Sequence, residues 1–344
     1  MTMRIIAFLP ALIILLSAIN GVGAKQAPTR NPPQGAAVLS SVRSARPQED
    51  WNTLSLEKTH LRAKMPLSLG KKQCKTFDRE MVQLEWRPFD PILLTIVTPH
   101  SAVKPPVVLF LYSYPTDTKR FLDAGYCERL AAQGYASVGF ESALTGDRYR
   151  MRPMREWFVS ELQESLACST HDVQLVLNYL GGRGDLDVRK VGIFGQGSGG
   201  TIAILAASVD PRIVAIDLLN PWGDWEQWLA KSPLVPTEER PRFVTKAFLS
   251  KLTAVEPLSC LPRLTETKIR MQFVKSDPIT PDVCIQKLMA AVPKTAEAVQ
   301  YPGVVAFREG VGGGRLFAWL GQQMGTKPTA AIPLQKPPDK ARAH

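Results

Sequence analysis

The stretch VGIFGQGSGGTIAILAA, residues 191–207, restricts the fold more than any other part of the chain. A short apolar run meets a turn holding Gly195, Gly197, Gly199 and Gly200, then passes into residues of helical composition. A strand that enters a helix through glycines belongs to an architecture in which strands and helices alternate. The flanking sequence continues that alternation. Residues 107–111, 136–140, 213–217, 269–274 and 298–301 read as buried strands, and 118–133 and 158–180 as helices, the second closed by Gly181-Gly182. Residues 81–87 alternate in polarity, Pro88 to Pro91 is turn chemistry, and 92–97 is β-branched, which predicts an antiparallel hairpin at one edge. The expected class is α/β: a mostly parallel sheet with helices on both faces, in one domain over residues 66–325. A short helical insertion, placed as a lid, covers about 221–263.

The ends of the chain have a different character. Arg4, an apolar run over 5–19 and the small residues Val22-Gly23-Ala24 make residues 1–24 a secretory signal, cut after about Ala24. That run contains Pro10 and falls short of the roughly 20 residues a membrane span needs. The mature protein is therefore expected to be secreted or periplasmic, with no membrane span. Residues 25–65 read as a flexible lead-in and 326–344, rich in Pro and Lys, as a disordered tail. The formal charge of +11 comes from scattered bases with no basic–aromatic motif, so nucleic acid is not an expected partner. Five cysteines (74, 127, 168, 260, 284) lack C-x-x-C spacing and the four histidines stand apart, so no metal and no cofactor are expected. One or two disulfides would suit an oxidising compartment, with at least one thiol left over.

The glycine turn admits more than one chemistry. Gly195, Gly197 and Gly200 spell G-x-G-x-x-G, and Asp217 follows where a ribose-binding carboxylate would belong, which allows a dinucleotide site. Against that, two strand–helix units precede the turn. The same residues also fit the strand–turn–helix that presents a catalytic serine. With the strand order, the segment FGQGSGGTIAILAA, SDPITP at 276–281 and LYSYPTD at 111–117, residues 80–322 resemble the α/β-hydrolase family, its dienelactone hydrolase and prolyl-oligopeptidase branches above all. The resemblance implies a triad acid at Asp277 and an oxyanion loop in which Tyr112-Ser113 replaces the usual His-Gly. It implies backbone donors at Tyr114 and Ser198.

Two members of that machinery are missing at their positions. Gly195 and Gly199 bracket Gly197, so the nucleophile's place holds glycine and Ser198 follows one residue later. Taking Ser198 as nucleophile would put the bulky Gln196 in a position that needs a small residue. No histidine lies between His171 and His344, and Val304, Val305 and Ala306 stand where the base would be. His60, His100, His171 and Lys275 are substitutes of poor placement. The leading expectation is thus an exported, catalytically impaired hydrolase homologue that binds a small anionic or acyl ligand, or a protein partner. An active esterase or peptidase using Ser198 and Asp277 remains the alternative, with the dinucleotide reading third. Arg148, Arg150, Arg152 and Arg155 suggest an anion-binding edge. Tyr112, Ser113, Trp222 and Trp225 are candidate pocket lining, with Trp222, Trp225 and Trp228 at helical spacing after a cap at Asp224.

Overall fold

Apolar, β-branched segments too short for helices dominate the chain from residue 77 onward, and they assemble into one sheet. The computed structural model describes residues 54, 61–151, 158–275, 277–312 and 315–327. The signal, most of the lead-in, the tail beyond residue 327, Arg152, Arg155 and Ser276 lie outside the described residues. The contacts divide the chain into Asn52–Leu334 and a second unit made of Met1–Trp51 with Gln335–His344; everything described belongs to the first.

The strands are β1 (Leu67–Gln73), β2 (Phe77–Leu84), β3 (Ile92–Pro99), β4 (Pro106–Leu111), β5 (Ala136–Phe140), β6 (Asp187–Gln196), β7 (Ile213–Leu219), β8 (Lys268–Val274) and β9 (Glu297–Tyr301). Their order across the sheet is β1-β2-β3-β5-β4-β6-β7-β8-β9. Strands β5, β4, β6, β7, β8 and β9 run parallel, while β1, β2 and β3 are antiparallel and β3 joins the rest against β5. The class is the one the alternation predicts. The central strands are apolar throughout because helices cover both their faces, as β4 illustrates: Val107 to Phe110 have no solvent exposure.

Helices α1 (Ala124–Ala131), α2 (Gly146–Met151), α3 (Leu162–Arg183) and α4 (Ser198–Ala207) follow β4, β5 and β6. The insertion between β7 and β8 is helical, with α5 (Trp225–Lys231), α6 (Arg240–Phe243), α7 (Lys246–Leu252) and α8 (Pro257–Cys260). After β8 come α9 (Asp282–Ala291), α10 (Val304–Val311) and α11 (Arg315–Met324). The pair α3 and α4 pack together on one face, and α1 and α11 cover the other. No helix among the described residues is long and apolar enough to cross a membrane.

Several boundaries differ from expectation, each for a local reason. The segment 118–133 is a 3₁₀ turn, Lys119–Leu122, then α1, because Asp123 breaks the run and caps α1 by accepting from the Tyr126 amide at 2.6 Å. Gly181 and Gly182 lie inside α3; Gly184, at φ 81°, is the residue that ends it. Strand β1 has every residue exposed and so carries no polarity pattern to betray it. Thr326 is held to the body, its hydroxyl donating to Gln133 O at 2.8 Å, so the ordered chain extends past residue 325.

Candidate functional site

The C-terminal ends of β4, β6 and β7 meet at the glycine turn, with the end of β8 beside that of β7. Gly197 sits between β6 and α4 at φ 52°, ψ −120°, a conformation that only glycine adopts without strain. Close approach explains the glycines on either side. A carbon substituent on residue 195 would lie 2.7 Å from Gly199 O and Gly200 Cα. One on residue 199 would strike Leu111 O and come within 2.7 Å of Tyr112 O. Positions 195 and 199 are therefore the small flanks of a tight strand–helix corner, and residue 197 is its apex.

The apex is not an empty cleft. A Cβ on residue 197 would collide with Ser113 Oγ, lie 2.7 Å from Ser113 Cβ and 3.2 Å from Trp222 Nε1. Ser113, just past β4, is 2% exposed and its hydroxyl has no hydrogen-bond partner among the described residues. Ser198 is fully buried at the start of α4, and its Oγ accepts from the Tyr114 amide at 2.9 Å. The resemblance implies this amide as an oxyanion donor, and here a side chain of the same protein holds it.

Asp277, just beyond β8, is 6% exposed. Its Oδ1 accepts from the Ile279 amide at 3.1 Å, and its buried Oδ2 has no partner among the described residues. Burial pushes the carboxyl up to about 6, with the Ile279 amide pulling weakly the other way. Gln196 Oε1, at the end of β6, and Asn220 Nδ2, just past β7, are also buried without partners among the described residues. Since Ser113 Oγ and Asp277 Oδ2 are both unpartnered, no imidazole among the described residues engages either.

The described histidines lie elsewhere. His100 pairs with Asp78 at 2.9 Å on the β2–β3 hairpin. His171 is buried in α3, edge-on to Trp86 with centroids 5.9 Å apart, and burial lowers its pKa against the opposing pull of Asp172. Val304, expected near the base's place, begins helix α10.

Other expected site residues are committed to the architecture. Tyr112 turns away from the apex, its hydroxyl 2.8 Å from that of Tyr126 and its ring under Arg120. Tyr114 packs its ring against Tyr149 at 5.1 Å. Trp222, Trp225 and Trp228 are at most 2% exposed and stack on one another, at 4.8 Å and 5.8 Å, as the core of the insertion. Only Trp225 and Trp228 lie on α5. The cap there is Glu256, which accepts from the Asp224 and Trp225 amides at 3.0 and 2.9 Å, while the Asp224 carboxylate pairs with Lys287. The missed signal was Glu256 itself, distant in sequence from the helix it caps.

Two of the four arginines of the expected anion-binding edge lie among the described residues, and both are paired. Arg148 is buried between Asp90, at 2.9 Å, and Asp172, at 2.6 Å, and Arg150 pairs with Asp147. Asp217 is inside β7, not at its end, and is fully buried. Arg270 donates to both its oxygens, at 2.9 and 2.6 Å, and Gln272 to one at 2.8 Å. A carboxylate so occupied is not available to a ribose, which removes the dinucleotide reading. Among the described residues no group of three or more His, Cys, Asp or Glu is placed to hold a metal.

No family model and no curated protein sequence matches the chain. Solved structures do. Acetyl xylan esterase 1 from Thermoanaerobacterium sp. superposes with a TM-score of 0.57 at 13% identity, over 70% of this chain and 81% of that one. An acetyl xylan esterase from Paenibacillus sp. gives 0.56 at 17%, over 69% and 82%. An acylaminoacyl peptidase from Pyrococcus horikoshii gives 0.54 at 15%, over 70% of this chain and 40% of that one. The sheet order, the strand–glycine–helix corner and these superpositions together establish that the chain has the α/β-hydrolase fold.

Proposed function

We propose that this protein is an exported, catalytically silent member of the hydrolase-fold group, acting by binding and not by turnover. One observation carries the reading: Ser113 fills the volume where a nucleophile on residue 197 would begin. Three others support it. The Tyr114 amide is taken by Ser198, the Asp277 carboxyl has no imidazole to orient, and the indoles of the insertion are packed. Acyl transfer needs a nucleophile, a base within hydrogen-bond reach and free oxyanion donors together. All three are compromised at one corner.

The neighbours named above are ester and peptide hydrolases, so the substrates to try are acyl esters and acylated peptides. Purified protein is expected to leave p-nitrophenyl acetate and an acetylated sugar ester at the buffer rate. Turnover that disappears in Ser198→Ala or Ser113→Ala would overturn the reading. Export is checked separately by N-terminal sequencing of protein from the extracytoplasmic fraction, which should begin at Lys25. With the apex and Arg148 occupied, the ligand or partner engages a surface other than the former catalytic corner.

A further inference from the structure

Two thiols share one face of the sheet edge. In the β1–β2 turn the Cys74 amide donates to Phe77 O at 2.9 Å, continuing a register in which Gln73 faces Asp78 and Lys72 faces Arg79. Side chains on a strand alternate faces, so Cys74 lies on the side of its cross-strand neighbour Phe77, and Arg79 is on that side too. That is the side covered by α1: Phe77 is 3% exposed, and Arg79 donates to Phe121 O at 3.2 Å and Leu122 O at 2.6 Å. Cys127, on α1, donates its Sγ–H to the same Phe121 carbonyl at 3.1 Å. The opposite side of the hairpin carries Asp78 with Lys71 and His100. Cys74 is partly exposed and Cys127 buried, both as free thiols here.

The geometry points to Cys74 and Cys127 as a disulfide pair that closes under oxidising conditions, stapling the exposed edge strand to α1. In the cell this rests on the proposed export; in vitro it does not. Of the other thiols, Cys168 lies among Arg87, Arg148 and Asp90, Cys260 beside Arg263, and Cys284 within α9. The oxidant is a small-molecule or protein disulfide. The Cys74 thiolate attacks one of its sulfurs, forming a mixed disulfide and expelling one thiolate. The Cys127 thiolate then attacks Cys74 Sγ, forming the internal bond and expelling the second. Two electrons and two protons pass from the pair to the oxidant, which leaves as two thiols. Burial pushes the Cys127 thiol up to about 11, so Cys74 reacts first and Cys127 resolves.

The test is folded protein incubated with oxidised glutathione, digested without reduction and mapped by mass spectrometry. The expected result is a Cys74–Cys127 linked peptide, a fall in alkylatable thiols after unfolding from five to three, and a Tm raised by roughly 5 °C or more. Cys74→Ser, a change at a partly exposed site, should remove the link and the Tm gain, as should Cys127→Ser if it folds. Glutathione retained on Cys74 while Cys127 stays alkylatable, or a dominant link between other cysteines, would overturn the pair. A bond that closes in vitro in protein whose cellular form has both thiols free supports the pair and counts against export alone.

Discussion

At the scale of single residues, the corner is a set of residues that fit one another. Gly197 accepts φ 52° and leaves the volume that Ser113 enters. Gly197→Ser is therefore expected to be inactive and to cost about 2–4 kcal/mol in urea unfolding, from overpacking and positive-φ strain. Adding Ser113→Gly should recover about 1–2 kcal/mol, a coupling energy that a double-mutant cycle reads directly. Equal costs with and without Ser113 would deny the collision. Asp277 gives a second prediction. Its folded pKa of about 6 lies above its ordinary 3.8, so the folded state binds the proton more tightly and stability falls as pH rises between those values. Relative to Asp277→Asn, the wild type should lose about 3 kcal/mol from pH 3.5 to pH 7, the loss being complete above about pH 7. A difference constant over that range would contradict the buried, unpaired carboxyl. The glycine at the apex was legible in the sequence because it is a matter of identity at fixed spacing. Ser113 as the occupant, and Ser198 on the Tyr114 amide, were not, because they depend on how two loops from different strands meet.

At the scale of elements, the C-terminal end of β5 is held by a buried ionic knot. Arg148 on α2 joins Asp90, in the β2–β3 turn, to Asp172 on α3, and Trp86 donates to the same Asp172 at 2.8 Å. Removing one partner leaves buried charges uncompensated. Arg148→Met should cost about 3–5 kcal/mol and raise hydrogen exchange in the β2–β3 turn more than in β6 or β7. A loss below about 1 kcal/mol would show that the knot contributes little. The sequence displayed this arginine within a run of four and suggested a ligand. Its true partners lie 58 and 24 residues away in sequence, beyond any local pattern. Strand and helix identities were legible because burial on two faces imposes apolar runs. Their ends were not, since single caps such as Asp123 and Gly184 decide them.

At the scale of the whole molecule, the sheet order and its superposition on esterases and peptidases fix the fold, while the proposed loss of turnover concerns a single corner of it. The parallel core, with β1, β2 and β3 as an antiparallel edge, draws its stability from buried strands, so the proposed loss of turnover leaves the fold intact. The most direct test is intact-mass analysis of the folded wild type after prolonged exposure to a fluorophosphonate probe, with an active serine esterase as positive control. The account predicts an unchanged mass. A stoichiometric adduct that maps to Ser198 or Ser113 would contradict it.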